Sequence, residues 1–235
     1  INLETARESL GRRLRDGEHT VVFGSIEPRG ELLEAPFTGE ACVGYQYTIQ
    51  HNAGGKTGTV IDYEGCALTP IAIQTSQGTL AILAPPDKDL FYEIPFKMLT
   101  GDDAFSHAER YLQITDFGAS TGLLGHANRH DTTDGPGSFR MDLNNNLKAD
   151  LRACTLRQKI LFPGDTVHIA GIHSEAKQAI EPETDTIMKP FHIVPGGEDS
   201  LAGKIHSKLR GAVISTALGL AVVAIYIFAF LLRTN

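Results

Sequence analysis

Apolar and polar residues alternate along several short stretches of the chain, which is the pattern of half-buried β-strands. The clearest stretch begins at Cys42, and one of its two sides is apolar and aromatic: Val43, Tyr45, Tyr47 and Ile49. Small or polar residues occupy the other side, and Cys42 is among them. We expect this strand to be the wall of a β-barrel whose interior or mouth is filled by Tyr45 and Tyr47.

Other strands are predicted at 19–26, 59–65, 70–75, 79–84 and 165–173. Two of them are separated only by Ser76, Gln77 and Gly78, which predicts a compact hairpin. Many short strands with glycine and proline turns favour a mainly β fold, built on a small barrel of the OB-like or SH3-like kind.

Two segments have helical periodicity. In 102–113 acidic residues open the first turn. The apolar residues fall on one face of the helix: Ala104, Phe105, Ala108, Tyr111 and Leu112. An amphipathic helix is predicted over 1–16, with Gly17 as its C-cap. This second helix either packs on the domain or follows a membrane span upstream of Ile1, and the pattern leaves both open.

The segment 118–146 is rich in Gly, Asn, Asp and Thr, and its periodicity is weak. We expect it to form a long polar excursion from the barrel, either mobile or ordered by a partner.

Residues 211–232 contain no charged side chain. As a helix this run would be about 33 Å long, which is enough to cross the hydrocarbon core of a bilayer. It follows a basic linker, 201–210, that contains Lys204, Lys208 and Arg210, whereas Arg233 is the only basic residue after it. Basic residues tend to stay on the cytoplasmic side. The sequence therefore predicts a transmembrane anchor in contact with lipid and a cytoplasmic domain.

Composition excludes some classes of protein. The net charge of −7 over 235 residues argues against a nucleic-acid-binding protein. Three widely separated cysteines without a C-x-x-C motif support neither a disulfide framework nor a zinc finger. Cys42 has no basic neighbour that would stabilise a thiolate, so we expect it to be structural.

Four segments, in this order and ahead of the apolar run, resemble the GIDE or "besides a membrane" domain: PFTGEACVGYQYTI, TPIAIQTSQGTLAILAPPD, LFPGDTVHIAGI and KPFHIVPG. This domain occurs in a mitochondrial outer-membrane ubiquitin ligase and in prokaryotic membrane proteins. The resemblance covers about 17–200, and these residues carry it: Pro36, Phe37, Gly39, Cys42, Val43, Tyr45, Tyr47, Pro163, Gly164, Asp165, Gly171, Pro190 and Phe191. It implies a membrane-anchored β domain, with a further span before Ile1.

The ligase members of that family carry a zinc-binding RING module after their second span. Only Arg233, Thr234 and Asn235 follow the apolar run here. We therefore do not expect ubiquitin-ligase activity to transfer to this chain.

His126 and His130 stand four residues apart, with Asp131 and Asp134 close behind. On one helical turn the two histidines would face the same way and could share a metal ion. Their glycine-rich surroundings favour a polar loop instead, and no cofactor is expected.

Three functional hypotheses follow. The favoured one is a non-catalytic binding or assembly module that docks a membrane or membrane-associated protein beside the membrane. One alternative is a metal-dependent hydrolase that uses His126 and His130. The other, which rests on family analogy alone, is an accessory role in ubiquitin-type protein modification.

Overall fold

A computed structural model describes residues 14–54, 58–83, 88–91, 93–115, 117–119, 129–130, 139–144, 150–182 and 192–196. Its strands, in chain order, are β1 (His19–Pro28), β2 (Leu33–Glu34), β3 (Ala41–Cys42), β4 (Gly44–Asn52), β5 (Thr59–Leu68), β6 (Ile71–Thr75), β7 (Gly78–Ile82), β8 (Lys97–Leu99), β9 (Gly118–Ala119), β10 (Arg129–His130), β11 (Phe139–Asn144), β12 (Thr155–Leu161), β13 (Thr166–Ser174), β14 (Ala179–Glu181) and β15 (Ile193–Pro195). The helix α1 (Asp102–Ile114) and two 3₁₀ turns, Lys88–Phe91 and Leu151–Ala153, complete the described elements.

Five strands close into a barrel in the order β1–β6–β7–β14–β13, because β13 pairs with β1 as well as with β14. The pairings are antiparallel, except that β14 runs parallel to β7. Closure leaves these strands with few free edges, which limits edge-to-edge aggregation. The prediction of a mainly β fold with a barrel is confirmed.

The predicted hairpin is also confirmed. Thr75 of β6 lies opposite Gly78 of β7, so Ser76 and Gln77 form a two-residue loop. Gly78 has φ of 127°, a conformation that few residues other than glycine adopt. The Thr75 hydroxyl donates a hydrogen bond to the Gly78 carbonyl at 2.8 Å and closes the turn.

A second sheet runs in the order β8–β12–β4–β5–β11–β10, with β9 parallel to β11. Alternate side chains point to its two sides. On the side that we call the barrel face, Leu68 and Leu161 pack with the apolar core of the barrel. On the other side, the helix face, Tyr45 and Tyr47 pack in a cluster with α1.

The helix α1 confirms the periodicity predicted for 102–113. Ala104, Ala108 and Tyr111 are buried, and two acidic residues stand in the first turn, where the helix dipole favours negative charge. Phe105 and Leu112 are partly buried at the edge of the same cluster. The helix is thus the cover of the second sheet.

Two predictions about the strand of Tyr45 and Tyr47 are wrong. The strand, β4, belongs to the second sheet rather than the barrel, so its tyrosines lie under α1 and not in a barrel interior. Val43 does not share their face, because the chain bends between β3 and β4. Val43 packs with the barrel core, and Cys42 packs with the tyrosines.

The excursion expected over 118–146 is corrected in its last part. Phe139–Asn144 form β11, which pairs with β5 along its whole length. The short β9 and β10 flank β11, so the described pieces of the segment extend the second sheet.

None of the helices in the described ranges could span a bilayer. The predicted span 211–232 lies outside those ranges, as do residues 1–13 of the predicted N-terminal helix. Gly17 has φ of 72°, and its N–H donates to the carbonyl of His173 at 2.9 Å.

Candidate functional site

The helix face of the second sheet holds a buried polar cluster that we call the tyrosine clasp: Tyr45, Tyr47, Tyr111, Arg140 and Asp142. The hydroxyls of Tyr47 and Tyr111 both donate to Asp142 Oδ1, at 2.7 and 2.8 Å. Arg140 donates through Nε to Asp142 Oδ2 at 2.7 Å and through Nη2 to the Tyr111 hydroxyl at 3.1 Å. The Tyr45 and Tyr111 hydroxyls are 2.9 Å apart. Since Tyr111 donates its only proton to Asp142, Tyr45 is the donor in this last bond.

Strand register assembles the clasp. Tyr45 and Tyr47 are two residues apart on β4, as are Arg140 and Asp142 on β11, so each pair shares the helix face. Between these strands β5 contributes only small residues: Tyr47 lies opposite Gly65, which lies opposite Asp142. A Cβ on Gly65 would come within 2.5 Å of both the Tyr47 ring and Asp142 Oδ1. Glycine is therefore needed at this position.

Burial raises the pKa of all three clasp tyrosines well above the usual range. For Tyr47 the neighbouring Asp142 carboxylate is the next cause, since it disfavours a second negative charge. The three hydroxyls therefore stay protonated and act as hydrogen-bond donors. The cluster stabilises the contact between α1 and the sheet, and its polar groups satisfy one another.

Alkaline pH is expected to destabilise the protein through these tyrosines. Their folded-state pKa values are raised, so their contribution is complete below the unfolded-state pKa of about 10 and is lost as pH rises above it. Each tyrosine then lowers the free energy of unfolding by up to about 1.4 kcal/mol per pH unit. Urea unfolding between pH 8 and pH 11 measures this loss. The free energy of unfolding of Tyr47→Phe should fall less steeply with pH than that of the wild type. A wild-type free energy that does not change with pH would contradict the raised tyrosine pKa values.

The three cysteines are all buried and none is in a disulfide. Burial raises the pKa of Cys42 to about 12 and that of Cys154 to about 11, with the Asp62 carboxylate as the second cause at Cys154. Cys154 Sγ lies 3.7 Å from Asp62 Oδ2, and His51 Nδ1 lies 2.7 Å from the same oxygen. A thiol in this environment is a hydrogen-bond donor rather than a nucleophile.

Most of the predicted metal ligands lie outside the described residues, so their mutual geometry is not given. His126, Asp131 and Asp134 lie outside the described ranges, and of His130 only the backbone position in β10 is given, opposite Arg140. Elsewhere in the described part of the chain no three His, Cys, Asp or Glu side chains could hold a metal ion. The site at His126 and His130 stays a prediction.

The residues that carry the family resemblance occupy structural positions where they are described. Phe37 is buried, with its ring edge-on to Tyr47 and its N–H donating to Gln158 Oε1 at 2.8 Å. Gly164 has φ of 84° in the turn before β13, and its N–H donates to the Ile26 carbonyl. Asp165 accepts from the Phe162 N–H at 2.8 Å. Gly39 has φ of 70°. Of the described members not yet placed, Pro36 and Gly171 are buried and Pro163 is exposed; Pro190 and Phe191 lie outside the described residues.

A second polar feature lies on the barrel face, at the side of the sheet where β8 is the last strand. We call it the cationic edge: Phe96, Met98, Arg157 and Lys159. The Arg157 guanidinium carbon is 4.6 Å and Lys159 Nζ is 4.4 Å from the centre of the Phe96 ring. Lys159 is buried and donates to the Phe91 carbonyl at 2.7 Å. Met98 lies opposite Arg157 and is 64% exposed.

Neither feature was predicted. The signals were the alternation of polar and apolar residues in 139–144 and a weaker alternation in 155–161, which Gln158 and Leu161 interrupt. Alternation normally places the polar side in solvent. Here both polar sides are partly buried, because a second layer covers each face of the sheet.

Comparisons with protein-family models, with curated protein sequences and with solved structures find no match for this chain.

Proposed function

We propose that this chain is a membrane-anchored docking module, which is not a catalyst and holds a partner protein beside the membrane. The observation that carries the proposal is the cationic edge of the second sheet, where Met98 is exposed and Arg157 and Phe96 are half-buried. Arginine and methionine are enriched at protein–protein interfaces, and an exposed methionine adapts to different apolar partners. Met98 and Arg157 lie side by side there in register.

The hydrogen bonds within the tyrosine clasp support a structural rather than a catalytic role for this buried cluster. A general base needs a free acceptor that can reach a substrate. Asp142 already accepts three hydrogen bonds, and its side chain is almost wholly buried. The clasp therefore holds the helix to the sheet, and the proposed partner binds at the surface of the domain.

The membrane anchor in this proposal is the uncharged run 211–232, with the basic linker on the cytoplasmic side. We include in the proposal an OB-like or SH3-like class for the barrel and membership of the GIDE family. The closed barrel of five strands supports the first. The order of the four motifs supports the second.

Removing residues 204–235 should convert a membrane-bound protein into a soluble one with an unchanged fold. The strands and both core clusters lie before this segment. Cell fractionation gives the location of each chain, and circular dichroism gives the fold of the shortened one. If the shortened chain stays with the membrane, the proposed anchor is wrong.

The side of the membrane can be determined with a membrane-impermeant amine reagent applied to intact cells. A thiol reagent is unsuitable, because all three cysteines are buried. Lys177 is a suitable target, since its side chain is 61% exposed. We expect labelling of Lys177 only after permeabilisation. Labelling in intact cells would place the domain outside the cytoplasm.

A further inference from the structure

We propose that the cationic edge and the adjacent Thr48 bind an acidic segment of the partner protein, and that Arg157 and Thr48 receive one of its carboxylates. This inference rests on the docking function proposed above and specifies the chemistry of the partner.

The register of three strands places the two receiving groups side by side. Arg157 of β12 lies opposite Met98 of β8 on one side and opposite Thr48 of β4 on the other. In the next row toward the barrel, Lys159 lies opposite Gln46. Since paired residues share a face of the sheet, these side chains all belong to the barrel face.

In the row of Met98, Arg157 and Thr48, two polar atoms have no hydrogen-bond partner within the part of the chain that the structure describes: Thr48 Oγ1 and Arg157 Nε. Thr48 is only 7% exposed, so water satisfies its hydroxyl poorly. Buried donors without partners are rare and destabilise a fold. A carboxylate satisfies both, because each of its oxygens accepts hydrogen bonds and a charged acceptor strengthens the bond with arginine.

The charges around the row favour an anion. Arg157 and Lys159 both lie within 5 Å of the Phe96 ring centre, so two positive charges share one aromatic neighbour. Glu64 is the nearest carboxylate on the same row, opposite Thr48 on β5, and it has an interaction of its own. Arg157, in contrast, has no ion pair among the described residues. A negative group over Arg157 also reduces the repulsion between the two cations.

Apolar side chains flank this row and define the rest of the segment. Met98, which is 64% exposed, ends the row at β8, and Ile61, which is 37% exposed, lies on β5 opposite Gln50, next to the row. Met98 belongs to neither core cluster, so a ligand that displaces its side chain costs no core packing. The segment that fits therefore combines glutamate or aspartate with apolar residues at neighbouring positions.

The test uses the full chain in phosphatidylcholine nanodiscs and a fluorescein-labelled peptide of alternating Glu and Val. Fluorescence anisotropy at low salt should show saturable binding, and a Gln–Val peptide should bind about tenfold more weakly or not at all. Arg157→Gln should weaken binding of the Glu–Val peptide about tenfold. The matched control is Arg110→Gln on the exposed side of α1, which changes the same charge and should leave binding unchanged.

Thr48→Val provides a variant that should fold at least as well as the wild type. It removes the partnerless hydroxyl and keeps the shape, so the urea midpoint should stay or rise, while the affinity for the Glu–Val peptide falls several-fold. A purely structural role for Thr48 would leave the affinity unchanged.

Three results would overturn the inference: no saturable binding by the wild type, equal binding of the Gln–Val peptide, or full affinity in Arg157→Gln. If phosphatidylserine in the nanodisc abolishes peptide binding, a lipid surface is the occupant and the proposal is equally wrong. Co-purification of a membrane partner with Arg157→Gln separates the two proposals. If Arg157→Gln still retained the partner, the chain would dock it through a surface other than the cationic edge.

Discussion

Replacing Gly24 with alanine is expected to destabilise the barrel by about 3 kcal/mol or more, at the upper end of overpacking costs. A Cβ at this position would lie 1.9 Å from the carbonyl oxygen of Gln74 and 2.7 Å from its carbonyl carbon. Both are backbone atoms of β6, and Gln74 is held in register by Ser25 on one side and Thr79 on the other. No side chain can rotate to make room, so β1 and β6 must separate.

Urea unfolding of the domain measures this effect as a lower midpoint with an unchanged slope. Ser25→Ala is the matched control, because it changes the next residue of β1 without adding an atom and should cost well under 1 kcal/mol. If Gly24→Ala were as stable as that control, the pairing of β1 with β6, and with it barrel closure, would be wrong.

Replacing Asp142 with alanine is expected to lower the free energy of unfolding by about 3 kcal/mol. The change leaves the Arg140 guanidinium and the hydroxyls of Tyr47 and Tyr111 without their acceptor. Losing one partner of a buried ion pair costs about 3–5 kcal/mol. Because the Arg140 side chain is 40% exposed, water screens its charge and the lower value applies.

Two further variants complete this measurement. Asp142→Asn keeps the shape and part of the hydrogen bonding, so its loss should be intermediate. Asp103→Ala removes an exposed carboxylate from α1 and should cost less than about 1 kcal/mol. Equal losses for Asp142→Ala and Asp103→Ala would show that the clasp does not hold the helix to the sheet.

Local sequence patterns predict the elements whose structure depends on residues close in sequence. The hairpin at Ser76 and Gln77 and the helix over 102–114 follow from turn chemistry and from a period of 3.6 residues. The existence of a barrel follows from the number and brevity of the strands.

The division into two sheets could not be predicted in the same way. Alternation shows that Tyr45 and Tyr47 need a cover, but not whether a barrel wall or a helix provides it. The barrel is closed by β1 and β13, which are distant in sequence, and no local signal specifies such a pairing. In β11 the alternation was present, yet its polar side carries the buried Asp142, which inverts the usual expectation.

The candidate site was hidden for a related reason. Arg157 and Lys159 alternate as residues on a solvent-facing side would, and only the tertiary structure places β8 and Phe96 beside them. Cys42 and the pair His126 and His130 are candidates by residue type alone. Catalytic potential depends on burial and neighbours, and the burial of Cys42 raises its pKa to about 12.

The most direct test of the docking function is photo-crosslinking in native membranes from the two most exposed large hydrophobic side chains of the described residues. Benzoylphenylalanine replaces Met98 at the cationic edge or Ile114 at the end of α1, which are 64% and 75% exposed. We expect a discrete protein adduct from position 98 that disappears when Arg157→Gln is added, and no such adduct from position 114. The same adducts from both positions, or an adduct at 98 that survives Arg157→Gln, would contradict docking at the cationic edge.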